Sequence, residues 1–307
     1  MNKRGARFLA GLAGFLMFAA PGWAQSDSPT DDNENIVVTG KAATSTEVSR
    51  QARAITDMSS AIRHEPMARF QDKLCPGVMG LEADAASLMI DRLRDNAQLL
   101  GLGLTKDDGT CRPNFIVAFV ENGAENLQQI ADHNGWAFQD MSPSERRKLL
   151  SEEGPVRVWT ITQMRTRDGM PIPRSVSLFD PPQVNTWMAH SKIYLAIRED
   201  ITRVVVLFDR EGVKGKTLLQ LADYATMRGL ARTRPVDGEG HPMDTILALF
   251  DPSGSPPAKL TEFDRAYLAA VYDGIPNIPG VTKVLGVNRQ LRLQEGEADP
   301  AVAEARE

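Results

Sequence analysis

An α+β fold, with a mixed sheet packed against helices, is what this sequence predicts, on three observations. Segments with the apolar period of helices interleave with segments that read as strands, but not in a regular β-α-β series. The chain has 307 residues, 42% hydrophobic and 24% charged, which is ordinary for a globular protein and allows a sizeable core. It has no internal repeat, and its later segments contain no apolar run long enough to span a bilayer.

The chain starts with Lys3, Arg4 and Arg7, then an apolar run from Phe8 to Ala20, then Gly22-Trp23-Ala24. A positive start, a short apolar stretch and small residues before a cut form the pattern of a signal peptide, here residues 1–24 with cleavage after Ala24. The competing reading, a membrane anchor, needs about 20 apolar residues, more than the run offers. No Cys lies near the cut to carry a lipid. Residues 25–50 are rich in Ser, Asp, Asn, Thr and Glu and are expected to be a disordered leader. A single domain over 51–293 and a disordered, charged tail over 294–307 complete the expected organisation.

Within the domain, Ala86, Ile90, Leu93, Ala97 and Leu100 recur at steps of four and three, predicting a helix from Leu81 to Leu100 that ends at Gly101-Leu102-Gly103. Phe115 to Val120 reads as a buried strand, followed by a short helix over 124–132. Ser142-Pro143-Ser144-Glu145 is a capping box with Pro at the first helical position, and starts a helix through Leu150. Val156 to Arg165 alternates as a strand with one partly wet face. Residues 168–187 hold four prolines and read as a surface excursion. Lys192–Ile197 and Arg203–Phe208 read as two further strands. Thr217–Leu230 is a helix with a buried stripe of Leu218, Leu221, Ala222, Ala225 and Gly229. Asp244–Phe250 and Thr261–Tyr272 are two more helices, the second capped by Thr261.

Charge and composition narrow the chemistry. The net charge of -5 becomes more negative once the basic signal is removed, so general nucleic-acid binding is not expected. In an oxidising compartment Cys75 and Cys111 are expected to pair as a disulfide; two buried thiols are the alternative. Closing that loop stabilises a protein by about 3–4 kcal/mol in the chain-entropy model. Gly212-Val213-Lys214-Gly215-Lys216-Thr217 sits between a strand and a helix, where a P-loop belongs. A P-loop needs about four residues between its glycines for successive N–H groups to wrap phosphate, and here too few intervene. It reads instead as a basic turn. His64, His133, His190 and His241 lack metal-ligand spacing, and His241 with Asp244 is the closest pairing. There is no Gly-x-Ser-x-Gly elbow. Asp223 with His190 remains as a dispersed acid/base pair. Arg228, Arg232 and Arg234 cluster at the end of the long helix; they suit its dipole, or they receive an anionic ligand or an acidic partner strand.

Two resemblances bear on function. Ile36-Val37-Val38-Thr39-Gly40 resembles the short segment near the mature start of TonB-dependent outer-membrane receptors, although the rest of the chain departs from that family. Ala222-Asp223-Tyr224-Ala225-Thr226-Met227-Arg228-Gly229-Leu230 resembles the zinc-peptidase pattern His-Glu-x-x-His-x-x-Gly-Leu in its Gly-Leu, with Asp223 at the Glu position. The two His positions hold Ala222 and Thr226, and the third ligand position holds Arg232. Met243-Asp244-Thr245-Ile246-Leu247 lies where such enzymes place a methionine-containing turn, and Leu260–Tyr272 is similar to their closing helix. About 190 residues thus resemble a degenerate metzincin-like metallopeptidase. The closer likeness is to an uncharacterised family of secreted Gram-negative bacterial proteins with Leu-Gly-Leu, Ser-Ile-Phe and Leu-Thr-x-x-Asp landmarks.

The resemblance implies a zincin/metzincin-like fold with no intact zinc site. A catalytic zinc takes three protein ligands and an open water position. Ala222 offers no donor atom, Thr226 is a poor ligand and Arg232 repels the cation, so no metal or cofactor is expected at Ala222, Asp223, Thr226 and Arg232. The resulting expectation is a periplasmic or secreted pseudoenzyme that binds a peptide, protein or envelope component, without a stable membrane span. A hydrolase using a non-zinc site, or a TonB-linked envelope accessory protein, are the alternatives.

Overall fold

The continuous apolar runs Phe115–Val120 and Val204 to Phe208 put two buried strands at the centre of a sheet. A computed structural model describes residues 43–298 except 59, 107, 134–137, 139–140, 142, 174–190, 192, 237–240 and 253–254. The proposed signal, the pentamer at 36–40 and His190 therefore lie outside the described residues. The sheet contains β1 (Arg69–Phe70), β2 (Pro76–Met79), β3 (Phe115–Val120), β4 (Val156–Thr166) and β5 (Ile197–Asp209). β2, β3 and β5 are parallel neighbours, with Val117 opposite Val206 and Val78 opposite Val117. β1 pairs parallel with the start of β5, Phe70 opposite Ile201. β4 runs antiparallel along the other side of β5, with a register shift at Ile161/Thr162, and among the described residues forms an edge. The architecture is a mixed, mainly parallel sheet packed with helices.

The helices are α1 (Ser45–Ile55), α2 (Ala83–Leu99), α3 (Gly123–His133), α4 (Pro143–Leu150), α5 (Leu218–Ala231), α6 (Glu262–Tyr272) and α7 (Gly280–Ala298). One sheet face, built on Val117, Phe119, Val204, Val206 and Phe208, packs with α5 into the principal core. The opposite face presents Ala118, Trp159 and Leu207 to a smaller cluster with Leu127, Ala131, Phe138 and Leu149. α5 is central: every residue from Leu221 to Ala231 is buried. Its Thr217 caps it in a box with Gln220, and α2, α6 and the sheet surround it. Gly229 is the point of closest approach to the sheet, because a Cβ there would lie 2.6 Å from the Phe115 ring and 3.3 Å from Val204.

Cys75 and Cys111 form a disulfide. It closes the loop that carries β2 and α2, as the pairing of cysteines in the sequence suggests. Four local expectations change. The strand expected at 192–197 is not formed: among its described residues only Ile197 is extended, as the first residue of a β5 that runs unbroken to Asp209. The polar stretch Arg198-Glu199-Asp200 does not break it, because Asp200 is buried against Arg165 at 3.2 Å and Arg198 at 3.0 Å. Asp244–Phe250 is not an α-helix: a 3-10 turn covers Ile246–Ala248, with Thr245 as its cap. α1 begins inside the stretch expected to be leader. Its Val48, Ala52 and Ile55 are buried in the principal core, and Thr44 caps it in a box with Glu47. α7 continues to Ala298, past the start of the expected tail.

α6 is held at both ends by buried polar groups. Asp264 accepts from the Thr245 hydroxyl (2.6 Å), Ile246 N–H (2.8 Å) and Thr261 N–H (3.0 Å), so one carboxylate caps α6 and fastens the preceding turn. Burial pushes its pKa up against the pull of those donors. At the other end Arg69 donates to the carbonyls of Val271, Tyr272 and Gly274. Lys283 donates to the Asp273 carbonyl, and burial beside Arg69 lowers its pKa to about 8.

Two outcomes are expected. Gly229→Val should destabilise the fold by about 2–3 kcal/mol through overlap with Phe115, read as a lower urea midpoint at unchanged slope. Lys283 has a folded pKa of about 8 against an ordinary 10.5, so the unfolded chain binds more protons between those values and stability rises with pH across that window. Urea midpoints measured across it should climb in the wild type and climb less in Lys283→Met.

Candidate functional site

Because α5 turns its residues through 100° per position, its two long faces lead to different environments. Ala222, Asp223 and Thr226 lie on the face toward α2. Asp223 is fully buried and receives both Arg92 Nε and Nη2 at 2.7 Å, Asn96 Nδ2 at 2.7 Å and Leu260 N–H at 2.9 Å. Thr226 donates to the Ala222 carbonyl at 2.8 Å and accepts from Asn96 at 2.9 Å. Ala222 is fully buried. The hydrogen bond to Asp223 raises the Arg92 pKa, outweighing partial burial. The arrangement is a buried bidentate pair that joins α2, α5 and the start of α6; every carboxylate lone pair in it is engaged by protein donors.

The other face carries Tyr224, Arg228 and, past the helix end, Arg232 and Arg234. Tyr224 packs edge-on against Phe250 at 5.0 Å. Arg228 lies over the Tyr224 ring, donates to its hydroxyl at 2.9 Å and pairs with Glu152 at 3.2 Å. Arg232 ends the helix in a left-handed conformation, φ 46°, and is shared between Glu199 at 3.3 Å and Glu145 at 3.6 Å. Asp57 bridges Lys148 at 2.8 Å and Arg234 at 3.0 Å. Burial pushes the Asp57 carboxyl up, but Lys148, Arg232 and Arg234 outweigh it and hold its pKa below the ordinary carboxylate value.

These charged groups line a cleft of about 580 Å³. It opens between α4 and the end of α5, along Val158, Trp159 and Thr160 of β4. β4 is paired with β5 on its inner side; among the described residues its outer side is bridged near its far end, where Arg165 meets Pro171. The cleft therefore brings a sheet edge together with Arg228, Arg232, Arg234 and Lys148 and with Asp57, Glu145, Glu152 and Glu199. Apolar area comes from Trp159, Leu149 and Met141.

Of the four sequence-derived positions, only Arg232 is in this cleft. Ala222, Asp223 and Thr226 are packed away from it, against Asn96 and Arg92. α5 meets the cleft at Arg228, which lies over the buried Tyr224 ring. The arginine cluster that the sequence groups, Arg228, Arg232 and Arg234, does lie in the cleft, whereas its acidic partners Asp57, Glu145, Glu152 and Glu199 are not singled out by the sequence. His64, His133 and His241 are exposed, as is Asp244, and among the described residues no three His, Cys, Asp or Glu side chains group to hold a metal ion. The Gly212–Thr217 turn leads into the capped start of α5, with Lys214 paired to Glu211 at 2.6 Å. No helix among the described residues is long and apolar enough to cross a membrane.

No protein-family model, curated protein or solved structure matches the chain.

Asp223→Ala should cost about 3–5 kcal/mol, since it strands Arg92 and Asn96 beside a buried face. Arg232→Gln removes a part-exposed pair and should cost under about 1 kcal/mol. Chemical denaturation of the two variants side by side checks the contrast; equal losses would mean that the α2-facing network is not the structural one.

Proposed function

We propose that this chain is an exported, noncatalytic binding protein with a pseudo-metallopeptidase core, which holds an extended segment of a peptide, protein or envelope component in the cleft beside β4. The observation that carries the reading is that β4, an edge strand among the described residues, lines a charged, partly apolar cleft with Val158, Trp159 and Thr160. An edge strand offers main-chain hydrogen bonds to an added chain, and flanking pockets select its side chains. Glu and Arg groups along the cleft supply polar anchors, while Trp159 and Leu149 supply an apolar wall.

Support for the metzincin-like part is that α2 and then β3 precede the motif-bearing α5, the order that the resemblance implies for a helix and a strand ahead of that helix. Ligand counting argues against hydrolysis by zinc, because a metal held at Ala222, Thr226 and Arg232 would have one poor donor, one missing donor and one cation. The disulfide fits an oxidising compartment, in keeping with export.

The test uses the purified mature protein. It should contain far less than one equivalent of zinc, turn over no member of a mixed peptide and ester panel with or without chelator, and bind an extended peptide from that panel. Arg232→Gln should weaken that binding while leaving the denaturation midpoint nearly unchanged. Stoichiometric zinc or chelator-sensitive turnover would overturn the reading. Turnover indifferent to chelator would favour a hydrolase with a non-zinc site. A pull-down that depends on residues 36–40 would instead favour a TonB-linked accessory role.

A further inference from the structure

The two walls of the cleft carry matched charges. On one wall Glu145 and Lys148, three apart on α4, share one helical face, and Glu152 stands two residues past its end. On the other wall each meets an opposite charge: Arg232 at 3.6 Å, Asp57 at 2.8 Å and Arg228 at 3.2 Å. The apolar anchorage of α4 is confined to its last two residues. Leu149 is its one fully buried side chain among the described residues, and with the partly buried Leu150 it packs into the smaller cluster with Trp159 rather than into the principal core. Arg146 points the other way, to the Ala131 carbonyl and over the Phe138 ring. Between α4 and β4 the chain passes through Gly154 at φ 95°, with open space where a Cβ would stand.

We propose that α4 is a charge-latched wall of this cleft, closed by the three ion pairs and released when the two outer ones are screened. Its purpose rests on the reading of the cleft as a binding site; its movement does not, and is measured separately. The outer pairs are the weak ones. The Lys148 side chain is 65% exposed and that of Glu145 50%, and exposed pairs of this kind hold by about 0–1 kcal/mol each and are screened over roughly 8 Å at physiological ionic strength. Arg228 with Glu152 is the deeper pair, its arginine side chain 6% exposed, and acts as the anchor next to the Gly154 turn. A ligand carrying charge would compete for the same outer groups, so entry of ligand and loosening of α4 go together.

The experiment is amide hydrogen exchange on the full mature chain at about 20 mM and about 0.5 M sodium chloride, in the absence of any ligand. Amides of α4 should exchange about tenfold faster at the higher salt, while those of α2 and α5 hold their rates. Lys148→Met keeps the aliphatic stem and removes the charge. It should raise α4 exchange at low salt and shrink the response to salt. Exchange of α4 that is indifferent to salt in both proteins would overturn the proposal, as would acceleration of α4 and α2 together, which would mark general destabilisation. Failure of the cleft to bind peptide would not alter this readout.

Discussion

Four hydrogen bonds converge on the carboxylate of Asp223 where α2, α5 and the entry to α6 meet, and the position of every neighbouring element follows from that junction. A charge so deep in a protein is tolerated only when its lone pairs are all engaged. Arg92 and Asn96, one helical turn apart on α2, are what engage it. The junction fixes the rotation of α5 about its own axis. With Asp223 turned to α2, Gly229 meets the Phe115 ring, and Arg228 and Arg232 are turned to the cleft. A small rotation would expose the carboxylate and drive the helix backbone away from the sheet together.

The same constraint gives a physical account of the peptidase-like motif. Gly229 in the Gly-Leu pair is required by the close approach of helix to sheet, where a Cβ would lie 2.6 Å from the Phe115 ring, whatever the chemistry nearby. Asp223 is held by an arginine and an amide, not aimed at a cavity. Thr261 and Asp264 in the Leu-Thr-x-x-Asp landmark form a capping box whose carboxylate also holds the 3-10 turn at Ile246. Gly229, Asp223, Thr261 and Asp264 therefore each have a packing or capping role within the fold, and of the motif helix only Arg228, with Arg232 just past its end, reaches the cleft.

How far the sequence could be read differs from element to element. β3, α4 and α6 were legible because apolar period or a capping box marks them locally: Phe115–Val120, Ser142-Pro143-Ser144-Glu145 and Thr261. The single β5 was not, since Arg198-Glu199-Asp200 looks like a break until Arg165 on the neighbouring strand supplies the partner for Asp200. α1 was hidden by polar composition; its stripe of Val48, Ala52 and Ile55 is narrow, and it is stabilised by docking against α7 and the core. The cleft drew its charges from α1's exit, α4, β5 and the end of α5. Sequence could group Arg228, Arg232 and Arg234, but nothing local reveals that Asp57 or Glu145 stands opposite them.

The disulfide between Cys75 and Cys111 encloses β2 and all of α2, including Arg92 and Asn96. A protease that nicks the backbone anywhere between those cysteines leaves two fragments still joined. The severed ends stay within reach, and the partners of Asp223 are not lost to diffusion. In an environment rich in proteases, the part of the chain that clamps the central helix is thereby made tolerant of a single cut.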